Sequence, residues 1–480
     1  MKNRLIKGER EKVELRNVIA KDRDAIISSL VNLVRFRSLK ASSDGPGAPF
    51  GRGIADALEH TLALAKSMGF QTRNVDGYAG HVEYGAGKDI VAVLVHLDVV
   101  PAGGEWTFAP FDGVISDGKI YGRGTEDNKG PAIASLYALK ALKDTGIKLS
   151  KRIRIIFGCD EESGWDCMKH YLAAEELPSC GFAPDAMFPI IGSEKGIAHF
   201  DLSRKFGPPQ GGGVWVKELR SGDRTNVIPA TAVATVVVLP EKRAAVAEVA
   251  RRFAQGKEKI NVDVVEHGLD TLEITLHGVA GHASLPHLAV NALTHMIVLL
   301  SSLDLAPGAS SDFIRFFAEN VGYDYHGTLM GVGLADEVSG KLTLNLGVMD
   351  LNEKGATAQI DIRYPVTCKF ESVRGPIAER AAAAGLALDR ADDKEPLYVP
   401  NDHELIQKLA KVYNAETGLK PEVISIGGGT YARAIPNAVA FGPVFPGQVE
   451  LAHQKDEYMT IEDLMMLTRI YAHAMAELAV

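Results

Sequence analysis

Two nearly unbroken apolar runs, Asp89 to Val95 and Arg152 to Phe157, flank an amphipathic stretch from Ile133 to Leu142. A strand that is apolar on both faces has to be covered on both, so this order predicts a layered α/β domain with a largely parallel sheet between helices. Ahead of it, Ile26, Ile27, Leu30, Val31, Leu33 and Val34 fall at helical spacing between Asp22 and Arg37. Gly53 to Ser67 repeats the pattern with Leu58, Leu62 and Leu64, so two helices should open the chain.

With 480 residues the chain exceeds one ordinary core, and a second domain is expected. After Gly192 the texture changes: Val233–Leu239, Leu272–Leu276, Leu342–Leu346 and Ala358–Ile362 read as strands, interleaved with helices such as Asn291 to Leu303. From Asp402 the first texture resumes, with a helix over Glu404–Val412, two strands about the glycine-rich turn at 427 to 431, and a last helix from Ile461 capped by Thr460. The expected division is therefore 1–195 and 396–480 in one domain, with an α/β insertion over 196–395.

A net charge of −9 with no basic block disfavours a nucleic-acid or anionic-membrane partner and points to a small molecule. Cys159, Cys167, Cys180 and Cys368 lack CxxC spacing and are read as free thiols of a reducing compartment. The N-terminus is charged and has no apolar signal core, and no apolar run reaches the ~20 residues of a membrane span, so the cytoplasm is the expected location.

Four local features carry chemistry. The run LVHLDVV, residues 94 to 100, ends an apolar strand in His96 and Asp98; this is either a core histidine satisfied by an aspartate or a metal ligand whose tautomer Asp98 fixes. GRGTEDNKGP, residues 122 to 131, presents Asp127 from a glycine-shaped loop just before a helix, where a solvated acidic loop is the alternative. DEESG, residues 160 to 164, sets three acids in succession at the end of the next strand, and they would repel one another without a cation or proton. One could ligate while another acts as a base; an exposed acidic helix start is the bland reading. PDAMFP, residues 184 to 189, adds Asp185 between prolines. Carboxylates with imidazoles suit a borderline divalent ion.

In their order, these motifs resemble the co-catalytic dinuclear metallopeptidases, the family of carnosinases, succinyl-diaminopimelate desuccinylases, aminoacylases and PepV-like dipeptidases. GGGTYAR at 427 to 433 and the later AHQ at 452 to 454 match the PepV-like branch, and the likeness covers nearly the whole chain. The resemblance implies that Asp127 bridges two divalent ions, that His96 and Asp185 bind one of them and Glu162 and His453 the other, and that Glu161 is the general base. The ions would be zinc first, with manganese or cobalt as alternatives. Asn128 departs from the second aspartate common in that branch, and Lys455 and Asp456 also differ from it; the change at 128 is expected to have a small effect.

The resemblance also makes 196–395 a lid. It implies that His282, in GHASLP, supports the oxyanion, and that Asn226 and Arg363 help position the substrate carbonyl and grip its C-terminal carboxylate. On residues alone His277, His282 and His287 read as exposed histidines and Arg363 as a strand-edge surface residue. Gly428, Gly429 and Thr430 could add backbone donors to the same carboxylate, whereas no Lys-Ser or Lys-Thr follows to make a P-loop. The implied function is hydrolysis of dipeptides with an unblocked N-terminus by a monomer. An N-acyl-amino-acid deacylase or desuccinylase is the alternative within the same metal chemistry, and a catalytically silent peptide- or metal-binding relative the alternative of another class. No GxSxG elbow or Cys–His signature supports a nucleophilic hydrolase.

Overall fold

The Ile90–His96 strand is buried along its whole length, and the apolar runs of the sequence explain why: it lies in the interior of a mixed sheet. This computed structural model describes residues 13–207 and 213–480; the first twelve residues of the charged N-terminus lie outside the described residues. Two compact units emerge. One holds the chain up to Gly192, Tyr398–Ile424 and Gly429–Val480; the other holds Ser193–Leu397 and Ser425–Gly428.

In the first unit the strands lie in the order Gln71–Val75, Ala79–Gly85, Arg152–Gly158, Ile90–His96, Cys180–Ala183 and Ala438–Ala440. Ile90–His96 runs parallel to both of its neighbours, and Ala438–Ala440 is parallel to Cys180–Ala183. The Ala79–Gly85 hairpin adds an antiparallel edge. The helix Lys129–Thr145 buries an almost continuous face from Lys129 to Leu139 and packs on the Ile461–Ala479 helix and on the central strands. Fully burying side chains such as Ile153, Ile155 and Ile156 contributes about 1.5–3 kcal/mol each.

Residues with special backbone roles hold this core tight. A Cβ on Gly158, the last residue of its strand, would stand 2.3 Å from the Tyr431 hydroxyl, so only glycine lets that buried ring sit over the strand end. Thr460 caps the last helix as its sequence predicts, its hydroxyl accepting the Asp463 N–H at 2.9 Å, with Glu462 and Asp463 in the first turn. The four cysteines form no disulfide.

One local expectation needs correction. The glycine-rich segment is preceded by a strand, Val423–Ile426, but followed by a 3-10 turn over Tyr431–Ala434. The Thr430 hydroxyl accepts the Ala432 N–H at 3.2 Å and Tyr431 is buried, so side-chain capping and packing override strand propensity there. The next strand begins only at Ala438.

The second unit is built on an eight-stranded antiparallel sheet, with Thr343–Asn352, Gly355–Tyr364 and Gly196–Lys205 adjacent in it. Its core includes Phe200, Leu219, Ile274, Leu346 and Ile360, packed with residues of the Ala292–Ser301 and Ala309–Asn320 helices. Among the described residues, no helix is long and apolar enough to cross a membrane.

Candidate active site

Three parallel strands deliver the site residues at their carboxyl ends, the side of an α/β sheet where ligands ordinarily bind. His96 is the last residue of its strand; Glu161 and Glu162 follow Arg152–Gly158; Asp185 follows Cys180–Ala183. Asp127 comes from the loop that opens into the Lys129–Thr145 helix, and His453 from the segment before Tyr458–Thr460.

These side chains converge. His96 Nε2 lies 2.8 Å from Asp127 Oδ1 and 3.5 Å from Asp185 Oδ1. His453 Nε2 lies 3.1 Å from Asp127 Oδ2 and 3.1 Å from Glu162. Asp127 thus stands between two imidazoles, one at each of its oxygens. Two overlapping groups can each gather donor atoms within 4.8 Å of one another: His96, Glu161 and Asp185, and His96, Asp127 and Glu162.

Asp98 is buried beside His96, but its role differs in detail from a simple carboxylate–imidazole pair. His96 Nδ1 is 2.9 Å from the Asp98 main-chain carbonyl and 3.6 Å from its carboxylate. The carbonyl can only accept, so Nδ1 carries a proton and Nε2 faces Asp127 and Asp185. The Asp98 carboxylate is turned to the main chain of the acidic turn, where it accepts the Glu161 and Glu162 N–H groups.

The electrostatics follow from this crowding. Burial pushes the Glu161 carboxyl well above the usual range, and the charge of Asp185 adds to the effect. Burial and then Asp127 raise Glu162 to about 7. Hydrogen bonds to Asp127 and Glu162 raise His453 to about 11 against the opposing effect of burial. Burial opposes a charge on His96, yet Asp185, Asp127 and Asp98 together hold its pKa well above normal. Burial would also raise Asp127, but His453 and His96 outweigh it and hold that carboxyl low. The carboxylates need positive charge among them, and a divalent cation on oxygen and imidazole donors meets that need.

Sequence reading missed several supports. Asn128 donates to the Pro184 carbonyl at 2.7 Å and to Asp185 Oδ1 at 2.9 Å, so it aims Asp185. Glu126 and Glu457 bind main-chain N–H groups around Asp127 and His453. Asp456 accepts the Thr107 N–H at 2.7 Å and its hydroxyl at 3.1 Å. For Glu126, Glu457 and Asp456, closeness in sequence to Asp127 or His453 is the one signal that could have pointed to these roles.

In the second unit, Val227 and Ile228 pair with His282 and Gly281, which brings Asn226 next to His282 along the chain ladder. His282 is exposed, and its Nδ1 accepts the Ser284 N–H at 3.2 Å and lies 2.6 Å from the Ser284 hydroxyl. Arg363 is not a surface residue: it is 4% exposed on an inner strand, paired through Nε and Nη2 with Asp361 at 2.7 and 2.8 Å. Its Nη1 donates to the Gly427 carbonyl at 2.9 Å. Gly428 and Gly429 continue that turn, and Thr430 ends it with its hydroxyl turned to the Ala432 N–H.

The pattern shared by peptidase family M20/M25/M40 matches residues 92–477, a span that takes in every carboxylate and imidazole of the cluster. The chain belongs to this peptidase family. As an M20 peptidase it is a hydrolase of peptide bonds, and the family uses divalent metal. A Bacillus subtilis (strain 168) protein provisionally named dipeptidase YtjP is 40% identical over 465 residues, covering 96% of this chain and 98% of that protein. The fold of human carnosine dipeptidase 1 is similar, with a TM-score of 0.56 at 14% identity over 97% of this chain and 99% of that one. Aminoacylhistidine dipeptidase from Vibrio alginolyticus gives a TM-score of 0.57 at 17% identity, over 95% and 97% of the two chains. At such identities the two solved structures establish the M20 fold alone.

Proposed function

We propose that this M20 peptidase hydrolyses dipeptides with a free N-terminus, using two divalent ions, zinc first, held by His96, Asp127, Glu162, Asp185 and His453. The observation that carries the reading is Asp127, whose two oxygens face His96 at 2.8 Å and His453 at 3.1 Å, as a carboxylate shared by two ions should. His96 and Asp185 would complete one side, Glu162 and His453 the other. Bound there, the ions would neutralise the carboxylates, acidify a water and polarise the scissile carbonyl.

Glu161 is the general base. Its carboxylate can gather within 4.8 Å of the donor atoms of His96 and Asp185, placed to take a proton from the attacking water and pass it to the leaving amine. Asp98 fixes its main-chain N–H, and the Trp165 indole donates to its carbonyl at 2.8 Å, so the side chain starts from a rigid backbone. The residues 196–395 serve as a lid. Because Nδ1 of His282 accepts a main-chain N–H, the neutral ring carries its proton on Nε2, the nitrogen that would donate to the oxyanion. Three of the five Arg363 N–H groups are committed to Asp361 and Gly427, and the other two would grip the substrate carboxylate, with Gly428, Gly429 and Thr430 lining the turn and Asn226 orienting the carbonyl.

The test is a release assay on chelated protein reconstituted separately with zinc, manganese and cobalt, given a free dipeptide, its N-acetylated form and a tripeptide. Metal-dependent cleavage of the free dipeptide alone is expected. Cleavage of the acetylated compound alone would make the chain a deacylase, and no cleavage with bound metal would make it a silent binder.

A further inference from the structure

Two carboxylates outside the proposed ligand set exchange places between chain segments far apart in sequence. Glu126 immediately precedes Asp127, and its Oε1 accepts the N–H groups of Leu451 at 2.7 Å and Ala452 at 2.9 Å, the two residues ahead of His453. Glu457, shortly after His453, returns the contact. Its Oε1 accepts the N–H groups of Gly124 at 3.0 Å, Glu126 at 2.8 Å and Asp127 at 3.1 Å. Its Oε2 takes the Arg123 guanidinium at 2.7 Å.

We propose that this reciprocal exchange is a latch that sets the position of Asp127 against His453, so that Glu126 and Glu457 are positioning residues for metal binding; this rests on reading Asp127 and His453 as ligands. Oε1 of each carboxylate accepts main-chain N–H groups of the opposite segment, which fixes backbone direction as well as distance. Strand pairing completes the clamp, because Tyr458 pairs with Tyr121 and the Gly122 N–H donates to the Glu457 carbonyl at 2.9 Å. Arg123 also donates to the Gln454 carbonyl at 3.1 Å, inside the same segment.

The segment needs such restraint. His453 has φ 64° and Asp456 φ 56°, left-handed conformations that His and Asp adopt more readily than most non-glycine residues but that still leave a backbone the surrounding contacts must hold. Arg123 and Glu457 are 1% and 0% exposed, and a buried ion pair alone is a poor source of stability. Their yield is geometric: a ligand loop and a ligand segment locked in register.

Zinc affinity of the chelated protein, measured by competition with a chromophoric chelator, tests the latch in four variants alongside wild type. Glu126→Met, which removes the acceptor at constant length, and Glu457→Gln, which puts an amide against Arg123, should each weaken zinc binding by about 10- to 100-fold. Glu126→Gln keeps one oxygen for both N–H groups and should bind within a few-fold of wild type. At saturating zinc the weakened variants should recover most of their kcat. Asp127→Ala is the control for the ligand reading: wild-type affinity in that variant would overturn the reading itself. If Asp127→Ala loses affinity while Glu126→Met binds zinc like wild type and only melts at lower temperature, the latch is overturned. Should Glu457→Gln fail to fold, the contrast between Met and Gln at position 126 decides the matter.

Discussion

The Asp98 carboxylate accepts the Glu161 N–H with one oxygen and the Glu162 N–H with the other, both at 3.1 Å. A single buried side chain behind His96 thereby fixes the backbone of the proposed base and of the adjacent proposed ligand. The acidic turn is held from beneath by a carboxylate, since peptide N–H groups are the one kind of donor that a row of acids still offers.

Replacing Asp98 with alanine leaves two N–H groups without their acceptor and lets the turn relax. We expect Asp98→Ala to lower kcat/KM by about 10- to 100-fold and to weaken metal retention, as loss of a support behind metal ligands does. Asp98→Asn, which keeps one oxygen, should fall between alanine and wild type. Steady-state kinetics with metal analysis checks both; wild-type values for alanine would remove Asp98 from the site.

A second brace lies within the other unit. Asn345 Nδ2 donates to the carbonyls of Thr225 and Val227, each at 3.0 Å, on either side of Asn226. Its oxygen accepts from Asn291 at 2.9 Å, and Asn291 caps the Ala292–Ser301 helix through the Thr294 N–H. Asn345→Leu strands these partners and should cost about 1–3 kcal/mol of stability. If Asn226 and His282 act in turnover, kcat should also fall by about tenfold or more, since small displacements of positioning groups are costly. Urea unfolding and kinetics on the same variant separate the two effects.

Acid should weaken the fold through His81. The ring is buried and its Nδ1 lies 2.8 Å from the Tyr171 hydroxyl. Burial first, and then the Arg154 charge, lower its pKa from 6.5 to about 4, against a smaller upward pull from Glu83. The folded pKa lies below the unfolded one, so the unfolded chain takes up a proton that the native state refuses. The His81 contribution is complete above pH 6.5 and is lost as pH falls toward 4, for a total of about 3 kcal/mol. His81→Gln should lose less stability than wild type between pH 7 and pH 4.5 in urea titrations; equal losses would show that His81 does not titrate in this way.

Much of the candidate cluster was legible because it sits where apolar strands stop. His96, Glu161 and Glu162 each follow a run whose burial the sequence announces, and Asp127 precedes a helix whose start is marked by a glycine-shaped loop. The supports were not legible. Glu126 and Glu457 act on peptide groups more than 300 residues away, and no periodicity or spacing encodes such a contact. Arg363 looked like a surface residue because its partner, Asp361, is an acid on the same strand face two residues before, and their pairing buries both. The turn after Gly427 went astray for another reason: the Thr430 cap and the packing of Tyr431 are tertiary facts that local propensity does not contain.

The central claim is that Glu161 works as the base of a metal-dependent peptidase. Its most direct test measures turnover of a free dipeptide and metal content side by side in wild type and Glu161→Gln. Glu161→Gln should lower kcat by about 10²- to 10⁴-fold with metal content unchanged. Retained turnover, or a loss of metal that by itself explains the lost activity, would contradict it.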